Sequence, residues 1–445
     1  MKKTSIILLS GIIFSVQTIV AQADTTRLSL DDAIRIALSE NPTVKVANRE
    51  IERVDYAKKS AWYGILPSLE ATGQISKYLA PATMSLAGMV IELPTDFNAQ
   101  AMLQLSLPLF APALWKNIQM TTLEMQLARE KAHASKITLR NDVTKAYYNV
   151  LLAQDSYKAL QDGYALAEEV YNQAKKRYEL GLAAEYDAIS AQVQMKNLQP
   201  NILEVENGIE QAKMYLKILT GLPSDEPIAL TGKLSDFENE IAGGNSLQQL
   251  LTDDNTDLKQ LDMQKQQLKK SLELQQTQRM PTLAAFGRYS YAGTGSKAGQ
   301  SFFTGEYQPA SSSWYSEGLL AGLQLSVPLT GIFTNTAKEK QTKIQMEQLD
   351  IQRDYLKSSI DMQLRTAQNN MDKAAKQVES AKGNEELSQK GYEISAKRYE
   401  SGMGTIIELQ NASLALTQSQ LSYNQAIATY LSAKADLEKL LGKTN

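Results

Sequence analysis

Cysteine is absent from this chain of 445 residues, and histidine occurs once, as His133. Without cysteine there is no disulfide, no thiolate metal site and no cysteine nucleophile. One histidine, which we interpret as an ordinary helix residue, and the lack of a glycine-rich phosphate loop leave neither a catalytic triad nor a nucleotide site. The net charge of -3 gives no electrostatic basis for binding nucleic acid. We therefore expect no enzyme activity, no cofactor or metal, and no nucleic-acid partner.

Long apolar runs are also lacking, except near the start of the chain. A basic beginning at residues 1–3 precedes an apolar run at 6–20 and small residues at 21–23. This pattern is typical of a secretory signal peptide, so we predict that residues 1–23 are removed on export. No later segment reaches the roughly 20 uncharged apolar residues of a spanning helix. We expect an exported protein that no helix anchors in a membrane.

The sequence repeats itself at an offset of about 220 residues. Lys176-Arg177-Tyr178-Glu179 recurs as Lys397-Arg398-Tyr399-Glu400, and each copy has a glycine two positions later. The segment at 105–109 recurs in similar form at 325–329. Landmarks in one order at nearly one spacing indicate a tandem duplication. We predict repeat 1 over residues 24–231 and repeat 2 over residues 245–443.

Apolar residues in both repeats follow steps of three and four, which predicts long supercoiled helices. We expect antiparallel pairs over 113–180 and 183–220 in the first repeat, and over 332–401 and 404–442 in the second. The first of these helices would extend roughly 100 Å, so it must pack on other rods. Pro200 should kink or locally unwind the returning helix.

Between the helices the pattern alternates, which predicts strands at about 66–79, 97–110, 280–293 and 316–330. Four strands cannot close a barrel, and in lipid the unpaired edges would each be costly. Copies of the chain would therefore complete it, two copies giving eight strands and three giving twelve. The alternative is an elongated coiled-coil scaffold with two small hairpins. The fold class is mainly α with a β-barrel part, built from two internal repeats.

The chain resembles the TolC-type outer-membrane efflux proteins over nearly its whole mature length. The motifs that carry the resemblance are Arg177-Tyr178 with Gly181 and Asp187, and Arg398-Tyr399 with Gly402 and Glu408. The resemblance implies a homotrimer in the outer membrane, with a twelve-stranded β-barrel and a long periplasmic α-barrel. It also implies an exit duct for efflux or type I secretion, which receives substrate from an inner-membrane pump through a periplasmic adaptor. The alternative is a periplasmic coiled-coil scaffold or adaptor; whether the substrate is a drug, a metal or a polypeptide is not encoded.

The turns between paired helices are the first candidate site. Gly181 and Gly402 should end their helices in the left-handed conformation. In the family these turns are the adaptor-docking tips, a role that the resemblance implies for Gly181, Leu182, Gly402 and Met403.

The second candidate site is the periplasmic aperture. The resemblance places Asp187 and Glu408 near the closed end of the tunnel, and Asn411 stands where the family has a second acid. Gly404 replaces a basic residue, so one expected lock between helices is missing. We expect Tyr178 and Tyr399 to pack between neighbouring helices near this aperture.

Overall fold

The computed structural model describes residues 26–442, apart from 81, 87, 94, 239–240, 242–254, 297, 301–306 and 330–331. The predicted signal peptide, the predicted start of repeat 1 and both predicted ends of repeat 2 lie outside the described residues. The chain divides into two compact units. The first comprises Met1–Asn41, Asp142–Gly244 and Ala374–Ser432, and the second comprises Pro42–Asn141, Asn245–Lys373 and Ala433–Asn445.

Helices dominate the described residues, as the heptad patterns predict. They are α1 (Leu30–Glu40), α2 (Pro42–Tyr63), α3 (Pro112–Glu179), α4 (Glu185–Thr220), α5 (Thr256–Thr277), α6 (Ile332–Glu400) and α7 (Ile406–Leu440), with a 3-10 turn at Leu234–Phe237. Basic residues occupy the last turns of α3 and α6, and acidic residues the first turns of α4 and α7. Basic residues at a helix C-terminus and acidic residues at a helix N-terminus interact favourably with the helix dipole. These charges therefore favour ending one helix and starting the next at these points. Helix α4 continues through Pro200 without a break, so the predicted unwinding is not observed.

No helix among the described residues is long and apolar enough to cross a membrane.

The strands are β1 (Thr26–Leu28), β2 (Ser68–Lys77), β3 (Ala82–Leu86), β4 (Met89–Leu93), β5 (Thr95–Phe110), β6 (Ile228–Leu230), β7 (Thr282–Ser296), β8 (Gly299–Gln300), β9 (Tyr307–Gln308) and β10 (Ser311–Ser326). In the first unit β1 pairs with β6 in parallel. In the second unit an antiparallel sheet has the order β10-β7-β5-β2. The short hairpin β3–β4 lies between the strands predicted at about 66–79 and 97–110 and was not itself predicted.

The internal duplication is visible as a matching contact in each unit. In the first unit the Asn41 side-chain amide donates to the Leu219 carbonyl at 2.8 Å. In the second unit the Asn255 amide donates to the Leu440 carbonyl at 3.3 Å. Each asparagine thus caps the end of a returning helix, at positions 221 residues apart in α4 and α7. The prediction of a mainly helical fold with two repeats is confirmed.

The four-stranded sheet has one apolar and one polar face, because side chains alternate along each strand. Its register brings together on one face Leu69, Ile75, Leu103, Leu105, Tyr289, Tyr291, Trp314, Leu319, Leu323 and Leu325. The opposite face carries Glu70, Gln74, Gln100, Gln104, Arg288 and Gln324. Tyr291 and Trp314 stack with ring centroids 6.1 Å apart. Strands β2 and β10 form the two edges of this sheet.

In the second unit the contact between α2 and α3 differs in kind from the contact between α5 and α6. Against α3, α2 packs through an apolar cluster of Val54, Met125 and Ala128. Against α6, α5 forms ion pairs of Asp262 with Arg353 at 2.6 Å and of Lys265 with Asp350, and Arg279, just after α5, pairs with Glu339 at 2.6 Å. Glu273 of α5 also binds Lys116 of α3 at 2.7 Å. Because hydrogen bonds from Lys116 and then Lys270 stabilise its charged form, the pKa of Glu273 falls to about 2.

Candidate functional site

The turn between α3 and α4 is a helix end closed by two backbone hydrogen bonds. The Gly181 amide donates to the Tyr178 carbonyl at 2.9 Å, and the Leu182 amide donates to the Arg177 carbonyl at 2.8 Å. This pair of bonds is the Schellman motif, which needs a left-handed residue at its centre. Gly181 has φ of 72°, so the predicted left-handed conformation is confirmed there.

The turn between α6 and α7 repeats this geometry and adds a further cap. Gly402 has φ of 74°, and the amides of Gly402 and Met403 donate to the carbonyls of Tyr399 and Arg398 at 3.1 and 2.8 Å. The start of α7 is closed by Thr405, whose hydroxyl accepts from the Glu408 amide at 3.2 Å. Gly181 and Gly402 have no side chain, so the next residues in each turn present theirs to solvent. These are Leu182 and Met403, which are 74% and 72% exposed.

The two turns are connected through Arg177. Its guanidinium donates to the carbonyls of Tyr399 and Glu400 at 2.5 and 2.9 Å, and lies 4.4 Å from the centroid of the Tyr399 ring. The positive charge of Arg177 at these carbonyls also interacts favourably with the negative, C-terminal end of the α6 dipole. Arg398, its duplicate, instead reaches the Met403 carbonyl at 3.3 Å and Glu408 at 3.7 Å, so it stays within its own turn.

The duplicated tyrosines occupy different environments within one chain. Tyr399 is 4% exposed in a cluster with Val170, Ala174, Ala191, Ile406 and Leu409. Burial raises the pKa of the Tyr399 hydroxyl, the Arg177 guanidinium opposes that rise, and the Asp187 charge adds to it. Tyr178, in contrast, is 42% exposed. The structure thus brings Tyr399 near Arg177 and Asp187, and leaves Tyr178 at the surface of the chain.

Asp187 and Glu408 lie on the first turns of the returning helices, and Asn411 lies one turn further along α7. Asp187 is half-buried on α4, whereas Glu408 and Asn411 are exposed on α7. Glu408 is paired with Arg398, so the structure joins this acid to the arginine of its own turn rather than to the first tip. At Gly404 a Cβ would approach the Arg398 Cβ to 3.1 Å, so the absence of a larger residue here lets the turn fold back closely.

Two contacts near these tips were not anticipated from the sequence. The Ser190 hydroxyl of α4 donates to the Gln410 side-chain oxygen of α7 at 3.3 Å. A Cβ placed on Gly163 of α3 would lie 2.5 Å from the Thr417 hydroxyl of α7, so glycine permits this close approach. An isolated glycine inside a helical pattern was the one signal that could have identified the second contact.

Acidic residues and the single histidine are the candidate metal ligands in the part of the chain that the structure describes. No group of three histidine, cysteine, aspartate or glutamate residues there could hold a metal ion. His133 lies 3.8 Å from Glu130 one turn earlier on α3, which is an ordinary contact on a helix surface. The tips present backbone caps, exposed apolar side chains and charged side chains.

Comparison with known proteins gives a match across both repeats. The model of a family described as "Outer membrane efflux protein" matches residues 33–222 and 247–443. Two curated proteins are also similar. The probable efflux pump outer membrane protein TtgC of Pseudomonas putida is 26% identical over 205 residues, which are 44% of this chain and 41% of that protein. The outer membrane protein TolC of Vibrio cholerae is 22% identical over 235 residues, 53% of this chain and 52% of that protein. The matched segments thus span about half or less of these relatives.

Solved structures are similar over nearly the whole chain. The CmeC outer membrane channel of Campylobacter jejuni superposes with a TM-score of 0.70 at 16% identity, covering 93% of this chain and 85% of that one. The outer membrane protein VceC of Vibrio cholerae gives 0.69 at 14% identity, covering 93% and 96%. At such identities the likeness shows a shared fold.

Proposed function

Because this chain belongs to the outer membrane efflux protein family, we propose that it is the outer-membrane exit duct of a tripartite efflux or type I secretion system. Family membership confirms the resemblance inferred from the sequence and places the protein in the outer membrane. The duct is a homotrimer that passively conducts substrate delivered by an inner-membrane pump through a periplasmic adaptor. The protein is not an enzyme, and energy for transport comes from its partners.

The observation that carries this proposal is the four-stranded sheet with one apolar face and two open edges. In lipid, every unpaired backbone group at an edge costs several kcal/mol. The edges β2 and β10 are long, so pairing β2 of one copy with β10 of the next would satisfy both. Outer-membrane barrels alternate apolar residues toward lipid with polar residues toward the lumen, as this sheet does. Three copies give a barrel of twelve strands.

The turns beyond α3 and α6 are the proposed adaptor-docking tips. Gly181 and Gly402 fix the backbone, and Leu182 and Met403 supply exposed apolar contacts that an adaptor helix would cover. Changing Leu182 and Met403 together to aspartate should abolish export while the complex still assembles in the outer membrane. Normal export by the double variant would exclude these side chains from docking.

The first turns of α4 and α7 are the proposed periplasmic aperture. Asp187 and Glu408 lie there and Asn411 lies one turn later, and three copies would place three of each around the axis. Tyr399 packs against Val170 and Ala174 of α3 and Ala191 of α4, and so holds the second tip against the first.

Membrane fractionation distinguishes this function from a periplasmic scaffold or adaptor. We expect the mature protein in the outer-membrane fraction, resistant to extraction by alkaline carbonate and forming discrete ion-conducting pores in planar bilayers. Recovery in the soluble periplasm, or outer-membrane protein without conductance after purification, would contradict the proposal. The experiment needs no knowledge of the substrate, which the chain does not specify.

A further inference from the structure

Strand β10 contains a residue that has no partner in the register of the sheet. Ser316 and Gly318 pair with consecutive residues of β7, so Glu317 between them is the extra residue of a β-bulge. Trp314 and Leu319 both lie on the apolar face although an odd number of positions separates them. Without an extra residue, side chains five positions apart would face opposite sides of the sheet. The bulge therefore adds Glu317 while both ends of β10 keep their apolar face.

The sequence around Glu317 specifies this bulge. Gly318 has φ of 95°, a conformation that glycine adopts at little cost and that other residues rarely adopt. The Gly318 amide, displaced from the regular ladder, donates to the Ser316 hydroxyl at 3.1 Å. Serine before the bulge and glycine after it thus hold the backbone in place. Bulges of this kind commonly re-aim a side chain at a functional position.

The side chain of Glu317 lies on the polar face of the sheet. The side-chain amide of Gln100, on β5, donates to Glu317 Oε2 at 3.4 Å. Gln100 belongs to the polar face, where it pairs with Gln74 of β2 and with Ala292 of β7. Strand β7 lies between β5 and β10, and the small side chain of Ala292 leaves room for the two longer side chains to meet across it. Three strands therefore contribute to the position of this carboxylate.

The charge of Glu317 is not compensated within the part of the chain that the structure describes. Glu70 and Arg288, also on the polar face, lie in one row of the sheet with Gln104 between them. Their opposite charges offset one another along that row. Glu317 has no ion-pair partner among the described residues, and its contact with Gln100 is to a neutral amide. The polar face thus presents Glu317 as an exposed carboxylate.

We propose that Glu317 is a specificity-determining residue of the barrel, which favours the passage of cationic over anionic solutes. This inference rests on the proposed homotrimeric duct, in which the polar face lines the lumen and three copies place three Glu317 carboxylates around the axis. A ring of carboxylates inside a pore attracts cations and repels anions. The bulge makes this possible, because it adds a charged lumenal side chain without turning the leucines of β10 away from lipid.

The size of the effect follows from the charges. Three carboxylates at roughly 10 Å from the axis, in about 0.1 M salt with a screening length of about 10 Å, enrich a monovalent cation about twofold and deplete a monovalent anion about twofold. Neutralising them should therefore lower the permeability ratio of potassium to chloride about fourfold. The interaction energy is proportional to the charge of the ion, so block by a trivalent cation such as hexamminecobalt should weaken about tenfold.

A series of charges at position 317 tests the proposal in planar bilayers. Glu317→Gln should show the loss of selectivity and block, and Glu317→Asp should retain both, because it keeps the carboxylate. Glu317→Lys should make the pore prefer anions. If the natural protein forms pores, and neither Glu317→Gln nor Glu317→Lys changes selectivity or block, the charge at this position does not act on the lumen and the proposal is overturned.

Cysteine chemistry on the assembled pore removes any effect on folding, because the natural chain contains no cysteine. An anionic thiosulfonate should restore cation preference to Glu317→Cys pores, and a cationic thiosulfonate should reverse it. Leu319→Cys is the matched control, since Leu319 lies on the apolar face and should be shielded by lipid from both reagents. Pores of Glu317→Cys that respond to neither reagent, or Leu319→Cys pores that respond equally, would overturn the assignment. A natural protein that forms no pores would instead refute the proposed function itself.

Discussion

Replacing Gly402 with valine should loosen the second tip by an amount that its backbone conformation determines. Gly402 has φ of 74°, and an added Cβ would meet nothing within 4 Å. Steric clash with neighbours therefore contributes nothing, and only the left-handed conformation matters. That conformation costs an ordinary L-residue about 1–2 kcal/mol, with β-branched residues at the upper end and asparagine least affected. We expect local stability to fall in the order glycine, asparagine, alanine, valine.

Hydrogen exchange at the amides of Gly402 and Met403 measures this cost, since both amides close the end of α6. A loss of about 1 kcal/mol speeds exchange through local opening roughly fivefold, and a loss of about 2 kcal/mol roughly thirtyfold. Alanine should give the first value and valine the second, while the barrel remains assembled. Export should fall in the same order from glycine to valine at position 402, because the tip is held less firmly in one conformation.

Gly208 provides the matched control. It lies inside α4, has no positive φ, and an added Cβ there also meets nothing within 4 Å. Gly208→Ala should stabilise its helix by about 0.5–1 kcal/mol and leave exchange at the tip unchanged. If Gly402→Val exchanges no faster than the natural protein, or if Gly208→Ala alters the tip equally, the argument from backbone strain is refuted.

Two further predictions concern charge. Glu408→Gln should lower cation selectivity and weaken block by multivalent cations in planar bilayers, because a ring of carboxylates attracts cations. Asn411→Asp should strengthen both selectivity and block for the same reason. If neither variant changes conductance, selectivity or block, these residues lie outside the lumen. Glu273→Gln should lower stability by about 1 kcal/mol at neutral pH, since the bonds from Lys116 and Lys270 are half-exposed and partly screened. Because the folded-state pKa of Glu273 is lowered to about 2 from 4.5, its contribution is complete above about 4.5 and is lost as the pH falls toward 2. Thermal unfolding of both proteins between neutral and acidic pH measures this, and a difference that persists at the lowest pH would contradict it.

Much of the fold could be predicted because it depends on local patterns. Heptad spacing defines α3, α4, α6 and α7, and glycine after a run ending in lysine and arginine defines their turns. Alternating strands with polar and apolar faces likewise follow from a period of two residues. The hairpin β3–β4 was missed because each of its strands has only five residues, too few to establish a period.

The divergence of the two arginines could not be predicted. Arg177 and Arg398 stand in the same tetrapeptide, so the motif itself gives no reason to expect different contacts. Their different contacts depend on what lies beside each tip. Arg177 has the end of α6 next to it in the same chain, whereas Arg398 contacts Met403 and Glu408 of its own turn. The packing of whole helices distinguishes the two arginines, and this packing cannot be predicted from the residues that neighbour each arginine in the sequence.

The most direct test of the exit duct is the mass of the protein extracted from the outer membrane in mild detergent. Light scattering coupled to size exclusion, corrected for bound detergent, should give three times the mass of the mature chain, because four strands per chain leave edges that only further copies can pair. A stable monomer in the membrane fraction would contradict the account, since one open four-stranded sheet can neither close a barrel nor enclose a channel.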